Sequence, residues 1–493
     1  MNTIYKCSRN AIMAVLLFCL FPLHGCKKFV EVEPPPTNVN EGNVYAYGST
    51  AAAAMIGIYT QMSNSFFLRD ISLYAELSAD NLVLFNNDKT DYVTYYQNAL
   101  LATNDGTTKF WLQIYPYIFS VNSAIEGLNK SNGVTSTVKQ HLLGEAHFLR
   151  AFYYFYLVNS YGDVPLALST DYVVNNSLSR SPASLVVAQI IDDLKQAQNL
   201  LSDSYLQADA ATAFPTGQEE RIKPNRSAAS ALLARVYLYQ KDWVNAELAA
   251  SEVINKTALY SAIPLDQVFL KNSKETIWSI PGVRAGSPNT DIGDIFILRP
   301  GGPADVTDRT IYLSQKLVDL FQTGDQRKNV WVNSVTDNNN KPYPYAAKYK
   351  ATGGDALSEY MIILRLGEQY LIRAEARLQL GRTQDAIADL NTLRARSIDP
   401  NEPDENKRLK LLATSLSKEA ALTALNYERR VEMFCEWGDR WFDLKRSGQI
   451  DAVMSAAAPL KGGVAWQSYK AWYPVPSDEI RINTKLSQNT GYN

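Results

Sequence analysis

The chain has 493 residues, 46% hydrophobic and 20% charged, enough to build a large buried core. Its 48 Lys and Arg stand against 50 Asp and Glu, a net charge of −2. That balance lacks the overall basic field of a nucleic-acid binder, and no nucleic-acid partner is expected. Tyr outnumbers Phe, 29 to 17, which suits half-wet surfaces because the ring is apolar and the hydroxyl is not. Of the four cysteines, Cys7, Cys19 and Cys26 belong to the N-terminal segment, and Cys435 alone lies in the body. A disulfide framework and a CxxC metal site are thereby excluded.

Residues 1–10 carry Lys6 and Arg9, and 11–23 form a 13-residue apolar run, too short to span a bilayer but of the length of a signal h-region. The run ends in LHGC, Leu23 to Cys26, which resembles a lipoprotein-processing signal with an unusual His24 in its middle. Residues 1–25 are therefore expected to be a lipoprotein signal peptide, with Cys26 the acylated residue. Several acyl chains on one cysteine would anchor a protein stably, where a single chain would not. Lys27 stands where an Asp would favour inner-membrane retention, so the outer membrane is the expected address. The prolines of EVEPPPTNVN (31–40) favour an extended, semi-rigid spacer, giving 26–40 as anchor and spacer and 41–493 as one body. No later segment is apolar enough to span a membrane.

The body reads as mostly helical. Helices are expected over 49–62, where a Ser/Thr start precedes an Ala- and Met-rich run, and over 110–130, with apolar residues at i, i+3, i+4 and i+7. Residues 227–254 read as two helices around a turn at Gln240–Asp242, and 369–397 as two more around Gly381–Arg382. These pairs superpose at an offset of 140, matching Ala234 to Ala374, Leu238 to Leu378 and Ala246 to Ala386. Small residues facing each other across paired helices are similar to the tetratricopeptide unit, which buries its apolar face only by stacking on neighbours. An earlier, more divergent copy is read in 144–168 with the helix around 186–201. Between the clear copies, 257–367 contains short strand-like runs, ETIWSI, DIFILRP and KNVWVNSV, among Gly, Pro and Asn clusters. A second irregular stretch covers roughly 65–108. One helical scaffold with elaborate insertions is the expected fold class.

Several segments together carry a family resemblance. They are the LHGC signal, GEAHFLRAFYYFYLVNSYGDVPL (144–166), LLARVYLYQKDWVNAELAASEVI (232–254), ETIWSI (275–280) and LRLGEQYLIRAEARLQLG (364–381). YERRVEMFCEWGDRWFDLKRSG (427–448) and YPVPSDEIRINTKLSQNTGYN (473–493) complete them, with His147 and Cys435 as small departures. In this order over the whole chain they resemble the SusD/RagB nutrient-uptake lipoproteins. The resemblance implies tetratricopeptide-type helix pairs decorated by loops, and a partner TonB-dependent (SusC-like) transporter over which the lipoprotein sits as a hinged lid. It implies an oligosaccharide ligand, or sometimes a peptide, at an outer membrane, facing the exterior.

The catalytic readings lack parts. His141 and His147 sit six apart, not at the i, i+4 spacing of a zinc pair, and no GxSxG, HExxH, P-loop or dinucleotide fingerprint occurs. No cofactor or metal is expected, and the protein reads as a binder. A helical glycosidase would need two carboxylates flanking an open cleft. Glu428, Glu432 and Glu436 share one helix face, but so stacked they repel and call for cations, for which Arg429, Arg430 and Arg440 are the near candidates. A structural ion-pair network is the expected outcome. A tetratricopeptide adaptor for a partner's peptide is a further alternative.

The ligand site is expected on the irregular face formed by 65–108 and 280–350. Trp331, near Tyr343 and Tyr345, would offer an aromatic face to a sugar, with Asp80, Asn81 and Tyr95 supplying hydrogen bonds. The competing reading makes Trp331 the core of a small β patch.

Overall fold

The computed structural model describes residues 43–103, 105–304 and 309–492, with backbone alone for 105–109. The signal segment, Cys26 and the proline-rich spacer lie outside the described residues. In chain order the longer helices are α1 (Gly48–Asn64), α2 (Phe67–Ser78), α3 (Thr90–Tyr96), α4 (Asp105–Lys130), α5 (Ser136–Tyr161), α6 (Ala183–Leu200), α7 (Arg226–Tyr239) and α8 (Trp243–Ile254). After the insertion come α9 (Leu366–Gln379), α10 (Thr383–Ala395), α11 (Lys418–Met433), α12 (Asp439–Arg446), α13 (Ile450–Ala457) and α14 (Ser477–Ile482). From α4 to α11 each packs on the next, so the stack continues across the insertion with α8 directly on α9.

Why these helices stack follows from the repeated small residues. Ala234, Leu238 and Ala246, and their counterparts Ala374, Leu378 and Ala386, are all fully buried. Alanine lets two helix axes approach closely, and the leucine before each turn closes the pair's end. The turns themselves also correspond. Lys241 (φ 57°) and Gly381 (φ 80°) occupy the same register, and both adopt the left-handed conformation that reverses the chain. Glycine takes that conformation freely, whereas a lysine pays roughly 1–2 kcal/mol for it.

The insertion leaves the stack through a neck. Strand β2 (Thr276–Ile280), inside ETIWSI as expected, pairs antiparallel with β6 (Met361–Arg365), which runs straight into α9. Trp278 on β2 is fully buried edge-on against Phe148 and Phe152 of α5, 4.8 and 5.2 Å away, which fastens the neck to the scaffold. Strand β1 (Leu82–Leu84) pairs with β3 (Ile311–Leu313), joining the two irregular stretches, and β4 (Val332–Thr336) forms a hairpin with β5 (Pro342–Ala346).

Three local expectations are corrected. The 65–108 stretch is largely helical, containing α2 and α3. DIFILRP is not a strand: Ile292–Phe296 is a short helix, and a run this short carries no periodicity that separates the two states. Its backbone lies so close to the next segment that a Cβ on Gly293 would stand 2.0 Å from the Ala351 carbonyl oxygen. KNVWVNSV is likewise split, with Gln326–Trp331 helical and only its second half in β4. Among the described residues no helix is long and apolar enough to cross a membrane.

Candidate functional site

Of the six residues expected at the ligand site, five are buried, and Asp80 is partly buried with its carboxylate already taken. Trp331 is fully enclosed, its indole Nε1 donating to the Leu265 carbonyl at 2.9 Å and its ring edge-on to Phe269. Lys348 Nζ covers that ring, 4.9 Å from its centre. Tyr343 and Tyr345 pack with Leu298 and Ala347 in a small core of their own, 3% and 8% exposed. Tyr95 stacks on Tyr74, with ring centres 4.4 Å apart, and meets Tyr473 edge-on. Asp80 is bound by Arg430 at 2.9 Å and Arg440 at 2.7 Å, and Asn81 donates to Glu76 and accepts from Arg430. Sequence alone does not distinguish an aromatic in an insertion from an aromatic at the insertion's own core. Here the insertion is thick enough to have one, and the expected constellation is not assembled on a surface.

Glu428 and Glu432 share a face of α11, but the helix ends at Met433 and Glu436 lies in the turn beyond it, against expectation. The three do form an ion-pair network, and its cations are not the expected ones. Glu428, Glu432 and Glu436 are 0%, 0% and 5% exposed. Arg327 reaches Glu428 at 2.8 Å and Glu432 at 3.2 Å; Arg365 bridges Glu432 and Glu436, each at 2.7 Å. Arg394 pairs with Glu428, Arg396 with Glu432 and Glu275, and Lys348 with Glu436 at 2.5 Å. Burial alone would raise the Glu432 carboxyl, but Arg396, Arg365 and Arg327 outweigh it and hold the group well below the usual carboxylate range. Of the cations expected there, Arg429 binds Asp439 and Asp443, while Arg430 and Arg440 serve Asp80. The true partners come from across the fold, out of reach of any local spacing rule. Nearby, Glu76 is buried with a hydrogen bond to one carboxylate oxygen only, and burial pushes its carboxyl up to about 7 against the opposing effect of Asn81.

An open basin of about 650 Å³ lies where the α1–α2 junction meets residues 284–304 and Arg309. Its near wall is Phe66, 43% exposed at the N-terminus of α2, with Arg69 one turn on. The Arg69 and Arg284 guanidinium carbons stand 3.9 and 4.8 Å from the centre of the Phe66 ring. Burial, then the neighbouring Arg69, lowers the Arg284 pKa. Arg284 pairs with Asp291, and Arg309 donates to Asp294 at 3.1 Å. Arg299 and the turn Pro300–Pro303 form the far rim. The floor is tied down from behind. Asp294 accepts from the Gly353 amide at 3.1 Å, while the buried Asn289 side chain accepts from the amides of Ser358 and Glu359 and donates to Asp355 and Ala356. The alcohol of Ser63 donates to the Pro281 carbonyl, clamping the 281–291 segment to the end of α1.

Chemically the basin offers planar guanidinium forks, two of them directly paired with carboxylates, beside one exposed ring. Paired forks and carboxylates match pairs of adjacent hydroxyls, and the ring matches a C–H face. The basin falls in the same two stretches of chain in which the site was expected, with different residues. Its only sequence signal is the RPGGP turn with arginines on both sides.

Residues 50–238 match the profile of a SusD-like family described as starch-binding and associating with the outer membrane, and residues 332–492 match the profile of the SusD family. SusD-like protein P2 of Formosa agariphila is 25% identical over 527 residues, covering 96% of this chain and 98% of that one. Among solved structures, a SusD-like protein of Bacteroides fragilis superposes with a TM-score of 0.75 at 21% identity, covering 93% of this chain and 100% of that one. A laminarin-binding SusD-like protein gives 0.72 at 23% identity, covering 91% and 100%. The surface glycan-binding protein A of Bacteroides fluxus also gives 0.72, at 21% identity over 91% and 100%. With two family profiles falling on opposite ends of one continuous helical stack, and relatives aligned along its whole length, the chain belongs to the SusD/RagB family.

Proposed function

We propose that the protein is a nutrient-binding lipoprotein, held at the outer membrane through Cys26 and facing the exterior, that captures an oligosaccharide in the Phe66 basin and passes it to a partner TonB-dependent transporter. The observation carrying this reading is the basin itself, an open volume of about 650 Å³ lined by four arginines, two aspartates and an exposed ring. The names of two structural neighbours, one laminarin-binding and one glycan-binding, support the class of ligand. The transporter and the lid-like arrangement rest on family membership. The glutamates that were the glycosidase candidates are locked in the buried network, with arginine partners on their oxygens, and the basin's own Asp291 and Asp294 are each paired with an arginine. Binding without turnover is the reading these pairings support. The insertion speaks against a bare peptide-binding adaptor, since its neck is fastened onto α5.

Calorimetry on the full chain with laminari-oligosaccharides, then with a panel of neutral and acidic oligosaccharides, tests the reading. Saturable binding that weakens at least about tenfold in Arg284→Ala, with no new reducing ends after prolonged incubation, is the expected result. New reducing ends, or binding unaffected by Arg284→Ala, would sink it. In cells, Cys26→Ala should move the protein from the membrane to the soluble fraction or leave it unprocessed.

A further inference from the structure

A second concavity, sharing no residue with the basin, lies between α4, the 165–176 segment and α14. It measures about 230 Å³, room for a single pyranose ring. Trp111, Tyr115 and Phe119 follow one another at i, i+4 and i+8 on α4, so they form one stripe that is closed at Trp111, 2% exposed, and opens towards Phe119. The first two rings are 5.1 Å apart. They are fixed from their polar ends: the Tyr115 hydroxyl donates to the Pro165 carbonyl at 3.0 Å, and the Trp111 indole donates to Glu479 Oε2 at 3.3 Å. Phe119 has no such tie and is 52% exposed, as is Ile482 opposite at 70%.

Two further features distinguish this groove from a dry apolar seam. The Asn175 amide nitrogen donates to the Ser169 carbonyl at 2.8 Å, which fixes the side chain, yet its Oδ1 is buried without a hydrogen-bond partner. A buried, unmatched acceptor costs about 1–3 kcal/mol, so the groove wants a donor there. Glu479 adds a carboxylate, the one charged side chain among the described residues of the lining, with Arg180 near Tyr115 but outside the lining. An open ring at Phe119, continued inward by Tyr115, beside acceptors suits a molecule that presents C–H on one side and hydroxyls on the other. A carboxylate in the lining, with no cation beside it among the described lining residues, disfavours an acidic ligand.

We infer that this groove is a second saccharide subsite, one that takes a single neutral pyranose unit and rejects uronic or sulfated sugars. The inference does not depend on the basin: a protein whose basin binds something else could still carry it. A subsite for one ring binds weakly alone and acts by holding part of a longer chain whose remainder lies outside the groove.

The test is fluorine NMR on the full chain labelled with 5-fluorotryptophan, the Trp111 line being assigned as the one that disappears in Trp111→Phe. Methyl β-glucopyranoside, methyl β-galactopyranoside, methyl α-mannopyranoside, methyl N-acetyl-β-glucosaminide and methyl β-glucuronide are titrated in turn. At least one of the four neutral sugars should shift the Trp111 line saturably in the millimolar range, and the glucuronide should not. Phe119→Ala, an exposed position at which the circular dichroism should be unchanged, should weaken the neutral sugar about tenfold. Asn175→Ala should weaken it also, through loss of the acceptor rather than of the platform. No neutral sugar moving the line, the glucuronide moving it equally, or full affinity in both variants would each overturn the inference.

Discussion

The buried network on α11 and the Phe66 basin use the same two residue types and put them to opposite ends. In the network, every arginine reaches a carboxylate of another element, and the glutamates are shut away from water. In the basin, Arg69 and Arg284 have one carboxylate each, Asp70 and Asp291, and lie over one exposed ring, partly in solvent. The difference teaches that charge count says little and geometry nearly everything. An arginine surrounded by carboxylates is a rivet, because removing either side strands a charge in the interior. An arginine held beside a ring at an open wall keeps donors to spare for a visitor.

The contrast is sharpest under mutation. Glu432→Ala takes the shared carboxylate from Arg327, Arg365 and Arg396 together. It should cost about 3–5 kcal/mol in denaturant unfolding, or prevent accumulation of folded protein, because three guanidinium groups are left under-neutralised in the interior. A loss under about 1 kcal/mol would mean the network is far better hydrated than its burial implies.

A smaller effect is expected at the network's edge, and it depends on pH. Glu76 ionises near about 7 in the folded protein, against the usual 4.5. The folded state therefore holds a proton that the unfolded state has lost between those values, and stability falls as pH rises through that window. Glu76→Gln removes the liability while keeping an acceptor for Asn81. Relative to the wild type, the variant should gain about 2–3 kcal/mol on going from pH 4.5 to pH 8, read from urea midpoints. A pH-independent difference would place the Glu76 carboxyl in contact with water.

The least effect on stability, and the greatest on binding, belongs to the basin. Phe66→Ala, at a half-exposed position, should shift stability by about 0.5 kcal/mol or less while weakening the oligosaccharide found for the basin about tenfold. The reverse pattern would make Phe66 a packing residue.

How far the sequence reached follows from the range over which each signal acts. The alanine matches at an offset of 140 are local patterns repeated twice, and helical stacking satisfies both, so the scaffold was legible down to its turns. The run Glu428, Glu432 and Glu436 was legible as carboxylates in need of cations, but not which cations, nor that the helix stops before Glu436. Arg327 and Arg365 reach it only because the insertion and its neck fold back over α11. The same limitation misplaced Trp331, which lies among irregular residues in the chain and among Phe269, Lys348 and Leu265 in space. Phe66 and Arg284 carry no periodicity at all, and nothing short of the closed neck brings them together.

Helix α2 spans both worlds. Its first turn carries the basin wall at Phe66 and Arg69, while its far end is pinned by Lys461, whose ammonium donates to the carbonyls of Leu77, Ser78 and Ala79. Directly beyond, Asp80 is gripped by Arg430 and Arg440. A wall mounted on so fixed a strut has little motional freedom left to surrender when a flexible sugar chain arrives. The entropy lost on capture then falls mainly on the ligand, so stiffer, branched or already curved chains should be held longer than slack ones of the same composition.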